Sequence, residues 1–420
     1  MSEDRRLLAG IDLCDDVTQI SVFDRKQFEA AAVGRPFGQE KEYEIPTVLA
    51  VDERGTHWEW GRDAVNAGES YVRISNFVKR SETSDEIEAD GRVFKARDIW
   101  KHFIVKCFSL LGECFPEQTI SKLVITLSIK NVRLEQIVRD VCAEFGIRAD
   151  RLIVQSHRQS YMYYAVSQAK ELWMNSVGLF EYTNDGLFYS QISIDRRSEP
   201  YIVGVNQKDL SDVVPYELTD NPEETGLIFT FLSAANTVLH KQMVTTIYVT
   251  GKGFDGKWAQ EALKNLCVGR RVFRGQNLFT KGACYVAREL SGEGKLGSFL
   301  FLDEDMVASD ISIRVYTDAG IQEAVLAAAG SYWNEVDASV DIIPDDEDEI
   351  QITTKDALKK ETKVHILSLS GFVDRKNKMT RFTVRIRFAD KNTCIITLKD
   401  NGFGEFCPSS NRIWERYITI

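Results

Sequence analysis

A regular alternation of strand-length apolar segments and amphipathic helices constrains the fold more than any other feature of the chain. Apolar residues recur at helical spacing over residues 96–111, and a short strand-forming segment follows at 122–128. A helix is predicted at 132–145, a strand at 152–155 and a helix at 159–170. Because strands that alternate with helices form sheets covered by helices, this order predicts an α/β fold.

Two β-hairpins are predicted, one in each of two segments with similar patterns. The first spans residues 7–24, and the second spans residues 177–194 and turns at Asn184-Asp185-Gly186. An Asp-Gly pair is one of the strongest short signals for a hairpin turn. The second segment continues with a strand at 245–250 and helices at 256–266 and 282–290. The repetition of hairpin, strands and helices indicates an internal duplication.

The pattern changes after Gly297, where short alternating segments replace the helical periodicity. Strands are predicted at residues 350–353, 362–370, 381–388, 393–399 and 416–420. Helical periodicity is retained only at 322–329. Short strands with turn residues between them predict a separate β-sandwich, which begins at residue 298.

Charge and hydropathy exclude two classes of partner. The net charge is −11 and the lysines and arginines are scattered, so a nucleic acid is not an expected partner. The polar start of the chain and the lack of an apolar stretch of about 20 residues predict a cytoplasmic protein without membrane contact. The acidic run at residues 345–349 lacks the spacing of a calcium loop and is interpreted as a solvated turn.

The cysteines and histidines show no metal-ligand spacing. The eight cysteines are spread singly, so most are expected to be reduced core residues, and no two of the five histidines are spaced as ligands. A Cys-His catalytic arrangement depends on spatial proximity, which one sequence does not reveal. His157 and its neighbour Arg158 are interpreted as a surface pair, whereas Trp58, Trp60 and the tyrosines of residues 161–164 are expected to pack in the core.

Several short motifs occur in an order that resembles the actin-like ATPase superfamily, and in particular the seventy-kilodalton heat-shock chaperones. In the first half they are residues 10–13 (Gly-Ile-Asp-Leu), 45–48 (Ile-Pro-Thr-Val), 61–64 (Gly-Arg-Asp-Ala) and 124–126 (Val-Ile-Thr). Near the end, residues 367–371, 381–388, 392–399 and 418–420 resemble the β-sandwich substrate domain of the chaperones, without a helical lid after it. Residues 299–303 resemble their interdomain linker, or form a core strand.

The resemblance implies a fold and its boundaries. It implies a two-lobed actin-like ATPase fold, made of duplicated ribonuclease-H-like sheets with helices and followed by a β-sandwich. The first lobe would span residues 1–176, the second and shorter lobe 177–297, and the sandwich 298–420.

The resemblance also implies a nucleotide site. The residues that would contact ATP or ADP are Asp12, Cys14, Asp15 and Asp16 in the first hairpin, Asn184, Asp185 and Gly186 in the second, and Gly251, Lys252 and Gly253 in an adenosine-contacting loop. Asp12 would also hold Mg²⁺, and Asp12 and Glu181 are the candidate catalytic residues. The absence of any nucleotide remains an equal alternative.

The phosphate loops depart from the family pattern. Cys14-Asp15-Asp16 stands where Gly-Thr-Thr is expected, and like charge repels phosphate unless Mg²⁺ intervenes. Residues 181–186 keep one glycine, which restricts close backbone approach to a phosphate. Gln155-Ser156-His157 replaces the glutamate of the connecting helix, and Lys79 is either the family's catalytic lysine or an exposed surface lysine.

These departures favour a degenerate chaperone-like protein over an active enzyme. The predicted function is a protein-binding scaffold or regulator with weak or absent ATP hydrolysis, which binds a protein or peptide through the sandwich or the interlobe cleft. A divergent but active Mg-ATP-dependent ATPase is the alternative, with Asp12, Asp15, Asp16 and Glu181 around the metal. A client-peptide binder, acting through the sandwich, is a third hypothesis.

Overall fold

The computed structural model describes residues 6–128, 130–197, 199–275, 277–318, 320–344, 349–368, 375 and 378–420. They form a mixed α/β structure, which confirms the predicted fold class at this level. Two compact units are present, one of Met1–Ser193 with Gln207–Gly297 and one of Ile194–Asn206 with Ser298–Ile420. Residues 345–348 of the acidic run and residues 369–371 lie outside the described residues.

The α-helices and β-strands, in chain order, have the following bounds. The helices are α1 (Arg62–Val65), α2 (Phe77–Arg80), α3 (Ala96–Cys114), α4 (Val132–Glu144), α5 (His157–Ser167), α6 (Leu227–Leu239), α7 (Lys257–Leu266) and α8 (Leu278–Leu290). The strands are β1 (Arg6–Leu13), β2 (Val17–Asp24), β3 (Glu29–Ala32), β4 (Arg35–Phe37), β5 (Glu40–Glu42), β6 (Ile45–Pro46), β7 (Leu49–Asp52), β8 (Trp58–Trp60), β9 (Tyr71–Ile74), β10 (Glu86–Ala89), β11 (Arg92–Lys95), β12 (Thr119–Leu127), β13 (Leu152–Ser156), β14 (Ser176–Thr183), β15 (Gly186–Asp195), β16 (Tyr201–Asp209), β17 (Val244–Thr250), β18 (Arg271–Arg274), β19 (Phe299–Leu302), β20 (Ser309–Thr317), β21 (Gly320–Ala327), β22 (Asp337–Ile342), β23 (Glu349–Asp356), β24 (Thr362–Ser368), β25 (Arg381–Asp390), β26 (Thr393–Gly402) and β27 (Ile413–Thr419).

The first unit contains a sheet in the order β13-β12-β1-β2-β3. Strands β12 and β13 run parallel to β1, and β2 runs antiparallel to it as the second strand of the predicted hairpin. Seven of the eight residues of β1 are buried, which explains why it reads as a continuous apolar run and not as an alternating one. Helices α3 and α4 contribute buried residues to the same core.

A second sheet of this unit repeats that arrangement with β18-β17-β14-β15. Strands β17 and β18 are parallel to their neighbours, and β15 is antiparallel to β14. The hairpin turns at Asn184-Asp185, and Gly186 adopts a φ of 127°, a conformation that favours glycine. Helices α6 and α7 bury their apolar faces in the core of this sheet.

Helix α8 packs closely against β1 and α5 through two glycines. A Cβ on Gly282 would lie 2.0 Å from the carbonyl oxygen of Ser160, and one on Gly10 would lie 2.4 Å from the carbonyl oxygen of Thr280. Neither position has room for a side chain. This close packing fixes the start of α5, and with it the residues of the candidate site.

The second unit contains two antiparallel sheets, β21-β20-β23-β24 and β22-β25-β26-β27. Buried residues of both sheets form one hydrophobic cluster, which includes Ile313, Ile352, Phe382 and Ile396. Residues 299–302 form β19, a strand that pairs in parallel with β16, so this segment is a strand within the unit and not a linker.

The helix predicted at residues 322–329 is wrong, because this segment forms strand β21. It pairs with β20 in a hairpin whose turn contains Gly320, with a φ of 101°. Residues such as Glu323, Ala324 and Leu326 favour helices in isolation, but sheet pairing outweighs that preference. No helix among the described residues is both long and apolar enough to cross a membrane, and the cytoplasmic location stays a prediction.

Candidate functional site

Four side chains from three separate parts of the chain meet in the first unit. Asp12 lies near the end of β1, Cys14 follows that strand, and Glu181 lies on β14. His157 is the first residue of α5, which Ser156 caps by accepting a hydrogen bond from the backbone N–H of Gln159. The cap sets where the helix begins and therefore where the imidazole lies.

His157 links the carboxylates of Asp12 and Glu181. Its Nε2 lies 2.8 Å from Oδ1 of Asp12, and its Nδ1 lies 2.9 Å from Oε1 of Glu181. The ring stacks on Phe279 of α8 with a centroid separation of 3.6 Å. His157 is buried, so its interpretation as half of a surface pair is wrong.

The two carboxylates determine the charge of the imidazole. Burial by itself would lower the pKa of His157, but the interactions with Asp12, then Cys14 and then Glu181, together outweigh it and raise that pKa well above its usual range. Both ring nitrogens then carry protons, and each donates to one carboxylate. The result is a buried imidazolium held between two acids.

Cys14 completes the group. Its Sγ lies 3.3 Å from Nε2 of His157, and its thiol donates to Oδ1 of Asp12 at 3.4 Å. Burial, followed by the charge of Asp12, raises the pKa of the Cys14 thiol well above its usual range. Cysteine, histidine and acid are thus arranged as in a nucleophilic triad, but the thiol is neutral, which argues against a reactive thiolate.

Lys79 connects the turns of the two hairpins. Its backbone N–H donates to both carboxylate oxygens of Asp15, at 3.1 and 3.2 Å, and its Nζ lies 2.6 Å from Oδ1 of Asp185. The side chain is 61% exposed, as the surface interpretation predicted, yet it is paired. Burial raises the pKa of Asp15, so this carboxyl keeps its negative charge less readily than an exposed one. Asn184 lies in the turn beside Asp185.

The two glycines of the predicted adenosine loop pack against Tyr182. A Cβ on Gly251 would lie 2.2 Å from the carbonyl oxygen of Tyr182, and one on Gly253 would lie 2.4 Å from its Cδ1. The contact with Tyr182 accounts for the glycine at both positions, so neither glycine requires a bound ligand as its explanation. Between them, Lys252 directs its Nζ to within 3.5 Å of Oδ2 of Asp16.

A cavity of about 70 Å³ lies among these residues. Pockets for drug-sized ligands enclose roughly 300–1,000 Å³, so this space is small beside them. Its charged lining consists of five acidic residues, one lysine, one arginine and His157, namely Asp12, Asp16, Glu44, Glu181, Asp255, Lys252, Arg274 and His157. An acidic lining repels a polyanion, so these residues disfavour ATP or ADP that is not bound to Mg²⁺.

The structure brings together most residues that the sequence placed in the site. Asp12, Cys14, Asp16, Glu181, Gly251 and Lys252 line one cavity, whereas Asp15 and Asp185 are joined through Lys79 beside it. Sequence reasoning missed the role of His157, which is 145 residues from Asp12 in the chain. The only signal available was its position where the resembled family has a glutamate.

Comparison with protein families gives two matches. The model described as "Family of unknown function (DUF5716) C-terminal" matches residues 36–304, more than half of the chain. The chain belongs to this family. The DUF5716 match includes His157 and Glu181 and begins after Asp12 and Cys14. The model described as "Domain of unknown function (DUF8552)" matches residues 306–420. No curated protein matches the DUF5716 chain.

Proposed function

We propose that the chain is a non-hydrolysing relative of the actin-like ATPases that acts as a protein-binding scaffold. The two sheets of the first unit support the fold part of this proposal. In each, a hairpin is followed by two further strands parallel to its first strand, in the order β13-β12-β1-β2 and β18-β17-β14-β15. Such a repeat is what the duplicated lobes of an actin-like fold require.

The observation that carries the functional part is the position of His157. In an actin-like clamp, phosphates lie between the two hairpins, where backbone N–H groups and cations hold them. Here His157 joins Asp12 of one hairpin to Glu181 of the other, and Lys79 joins their turns. The chain's own side chains thus link the two hairpins, which favours a fixed clamp over one that opens and closes with nucleotide.

An exposed apolar face in the second unit favours a protein or peptide partner. The outward side chains of β20, β21 and β24 include five large apolar residues, each at least 56% exposed, namely Tyr316, Ile321, Val325, Val364 and Ile366. Val325 and Val364 lie in one row across the sheet, through Ser312 and Thr353. Polar side chains such as Arg314 and Gln351 lie between them on the same face, and exposed apolar groups with polar neighbours are typical of interaction sites.

Thermal unfolding with nucleotide tests the non-hydrolysing part. A ligand that binds only the native state at 100 times its Kd stabilises it by about 2.7 kcal/mol, which raises the Tm measurably. We expect no change in Tm with millimolar MgATP or MgADP, and no phosphate release above a blank. Stabilisation by MgATP, with phosphate release that Asp12→Ala abolishes, would instead support the active ATPase.

A peptide array probed with the full chain tests the scaffold part. We expect binding that Val364→Glu weakens at least tenfold, because a charge then replaces one of the exposed apolar side chains of this face. Val93→Glu is the matched control, since Val93 is 61% exposed on β11 of the first unit. A blank array, or equal loss in both variants, would contradict binding through this face.

A further inference from the structure

We propose that Asp12, Cys14 and His157 form a binding site for a divalent transition-metal ion, and that Zn²⁺ is the ion they suit best. The site goes beyond the scaffold function and does not depend on it. It requires neither a nucleotide nor the actin-like fold, only the three side chains and the residues that hold them.

The separations of the three ligand atoms suit a tetrahedral ion. Nε2 of His157 lies 2.8 Å from Oδ1 of Asp12 and 3.3 Å from Sγ of Cys14, and Sγ lies 3.4 Å from Oδ1 of Asp12. Metal–N and metal–O bonds of about 2.0 Å and a metal–S bond of about 2.3 Å place tetrahedral ligand atoms roughly 3.3–3.5 Å apart. Two of the three separations already have that value, and the third must lengthen by roughly half an ångström.

Glu181 supplies the outer contact that a metal-binding histidine normally has. It accepts a hydrogen bond from Nδ1 of His157 at 2.9 Å, on the side of the ring away from the other two ligands. The ion displaces the proton that Nε2 carries in the metal-free chain. The bond to Glu181 keeps the other proton on Nδ1, so Nε2 becomes the metal ligand. Ring orientation is fixed further by stacking on Phe279.

The ligand types and charges select the ion. Thiolate and imidazole ligands suit Zn²⁺, whereas Mg²⁺ prefers oxygen ligands and keeps several of its waters. Binding of the ion also displaces the thiol proton of Cys14 to solvent, and the Asp12 carboxylate and the resulting thiolate carry the two negative charges that neutralise Zn²⁺. All three ligands border the cavity of about 70 Å³, which leaves room for water as the fourth ligand. Three protein ligands and one open position are the arrangement of catalytic zinc sites.

Titration with Co²⁺ tests the site in the full chain, after removal of any affinity tag and treatment with a chelator. Co²⁺ replaces Zn²⁺ in such sites, and coordination by a thiolate produces an intense ligand-to-metal charge-transfer band. We expect this band to appear with one equivalent of Co²⁺ and to disappear when Zn²⁺ is added. If the wild-type chain gives no such band, the proposal is wrong.

Three variants connect the band to these residues. Cys14→Ser should abolish it, whereas Cys407→Ser should leave it unchanged, because Cys407 is a free thiol that is half-buried like Cys14. Glu181→Gln should keep the band with about 10–100-fold weaker binding, the usual cost of losing an outer-shell partner. Circular dichroism checks folding, and if Cys14→Ser does not fold, the Glu181→Gln titration decides. A band that survives in folded Cys14→Ser, or unweakened binding in Glu181→Gln, would overturn the assignment.

Discussion

At the scale of single residues, one imidazole has the largest influence on the candidate site. His157 is the residue through which Asp12 and Glu181 are connected, and it also contacts Cys14 and the ring of Phe279. The sequence identified both acids as candidates, because they lie in hairpins that resemble phosphate loops. It placed His157 on the surface, because a contact across 145 residues leaves no trace in local spacing.

Replacing His157 should be costly in the metal-free protein. His157→Gln removes the positive charge that Asp12 and Glu181 share, and breaking a buried ion pair costs about 3–5 kcal/mol of unfolding free energy. Urea unfolding measures the loss. His57→Gln is the control, since that side chain is 61% exposed and pairs with Glu59 at the surface, and its effect should stay below about 1 kcal/mol. Equal losses in the two variants would show that the buried network adds no more to the free energy of unfolding than a surface ion pair does.

Thiol reactivity should follow burial. Cys114 and Cys267 are exposed, whereas burial raises the pKa of Cys142 and of Cys394 to about 12. The thiolate is the reactive form, and its fraction at pH 8 falls as the pKa rises. Burial therefore slows the reaction of these thiols in two ways, because it restricts access of the reagent and lowers the thiolate fraction. We expect two fast-reacting thiols in the native chain and all eight after denaturation, measured with a chromogenic disulfide. A fast phase that persists in the Cys114→Ser/Cys267→Ser double variant would contradict this.

At the scale of elements, segments with a strong local pattern were predicted well. The hairpins at β1–β2 and β14–β15 and the helices α3, α4 and α5 lie within a few residues of their predicted positions. Strand β21 was mistaken for a helix because pairing with β20, which is not a local property, decides its conformation. Helix α6 was missed, since large apolar residues such as Phe229, which is 79% exposed, interrupt its polar face and weaken the helical period.

The packing of α8 against α5 gives a prediction of its own. Gly282→Ala places a methyl group against the carbonyl of Ser160, and overpacking of this kind costs about 1–3 kcal/mol. Gly112→Ala in α3 is the matched control, because its Cβ would meet no atom within 4 Å. There alanine should stabilise the helix by about 0.5–1 kcal/mol. Chemical denaturation compares the two, and changes of the same sign would argue against the close contact of α5 and α8.

At the scale of the whole molecule, the chain builds separate cores. Phe103 lies in the core of the first unit and Phe382 in that of the second, and both are fully buried. The sequence did not predict this division into two units in full. Residues 194–206 lie within the predicted second lobe, but they belong to the second unit.

Separate cores should produce separate thermal transitions. A large-to-small change of a buried phenylalanine costs about 3–5 kcal/mol and acts mainly on the unit that contains it. In scanning calorimetry, Phe103→Ala should lower the Tm of one transition and Phe382→Ala that of the other. If both variants shift a single common transition equally, the two cores unfold as one.

The pairing of β16 with β19 restricts how this chain can exchange parts during evolution. A recombination event just after residue 297 would carry β19 away and remove one of the strands that pair with β16. A junction at residue 305, between the DUF5716 and DUF8552 matches, keeps the two strands on the same inherited fragment. Replacement of the C-terminal sheets at that junction therefore preserves this strand pair but exchanges Met306 and Tyr332, which pack in one cluster with Ile202 and Leu302.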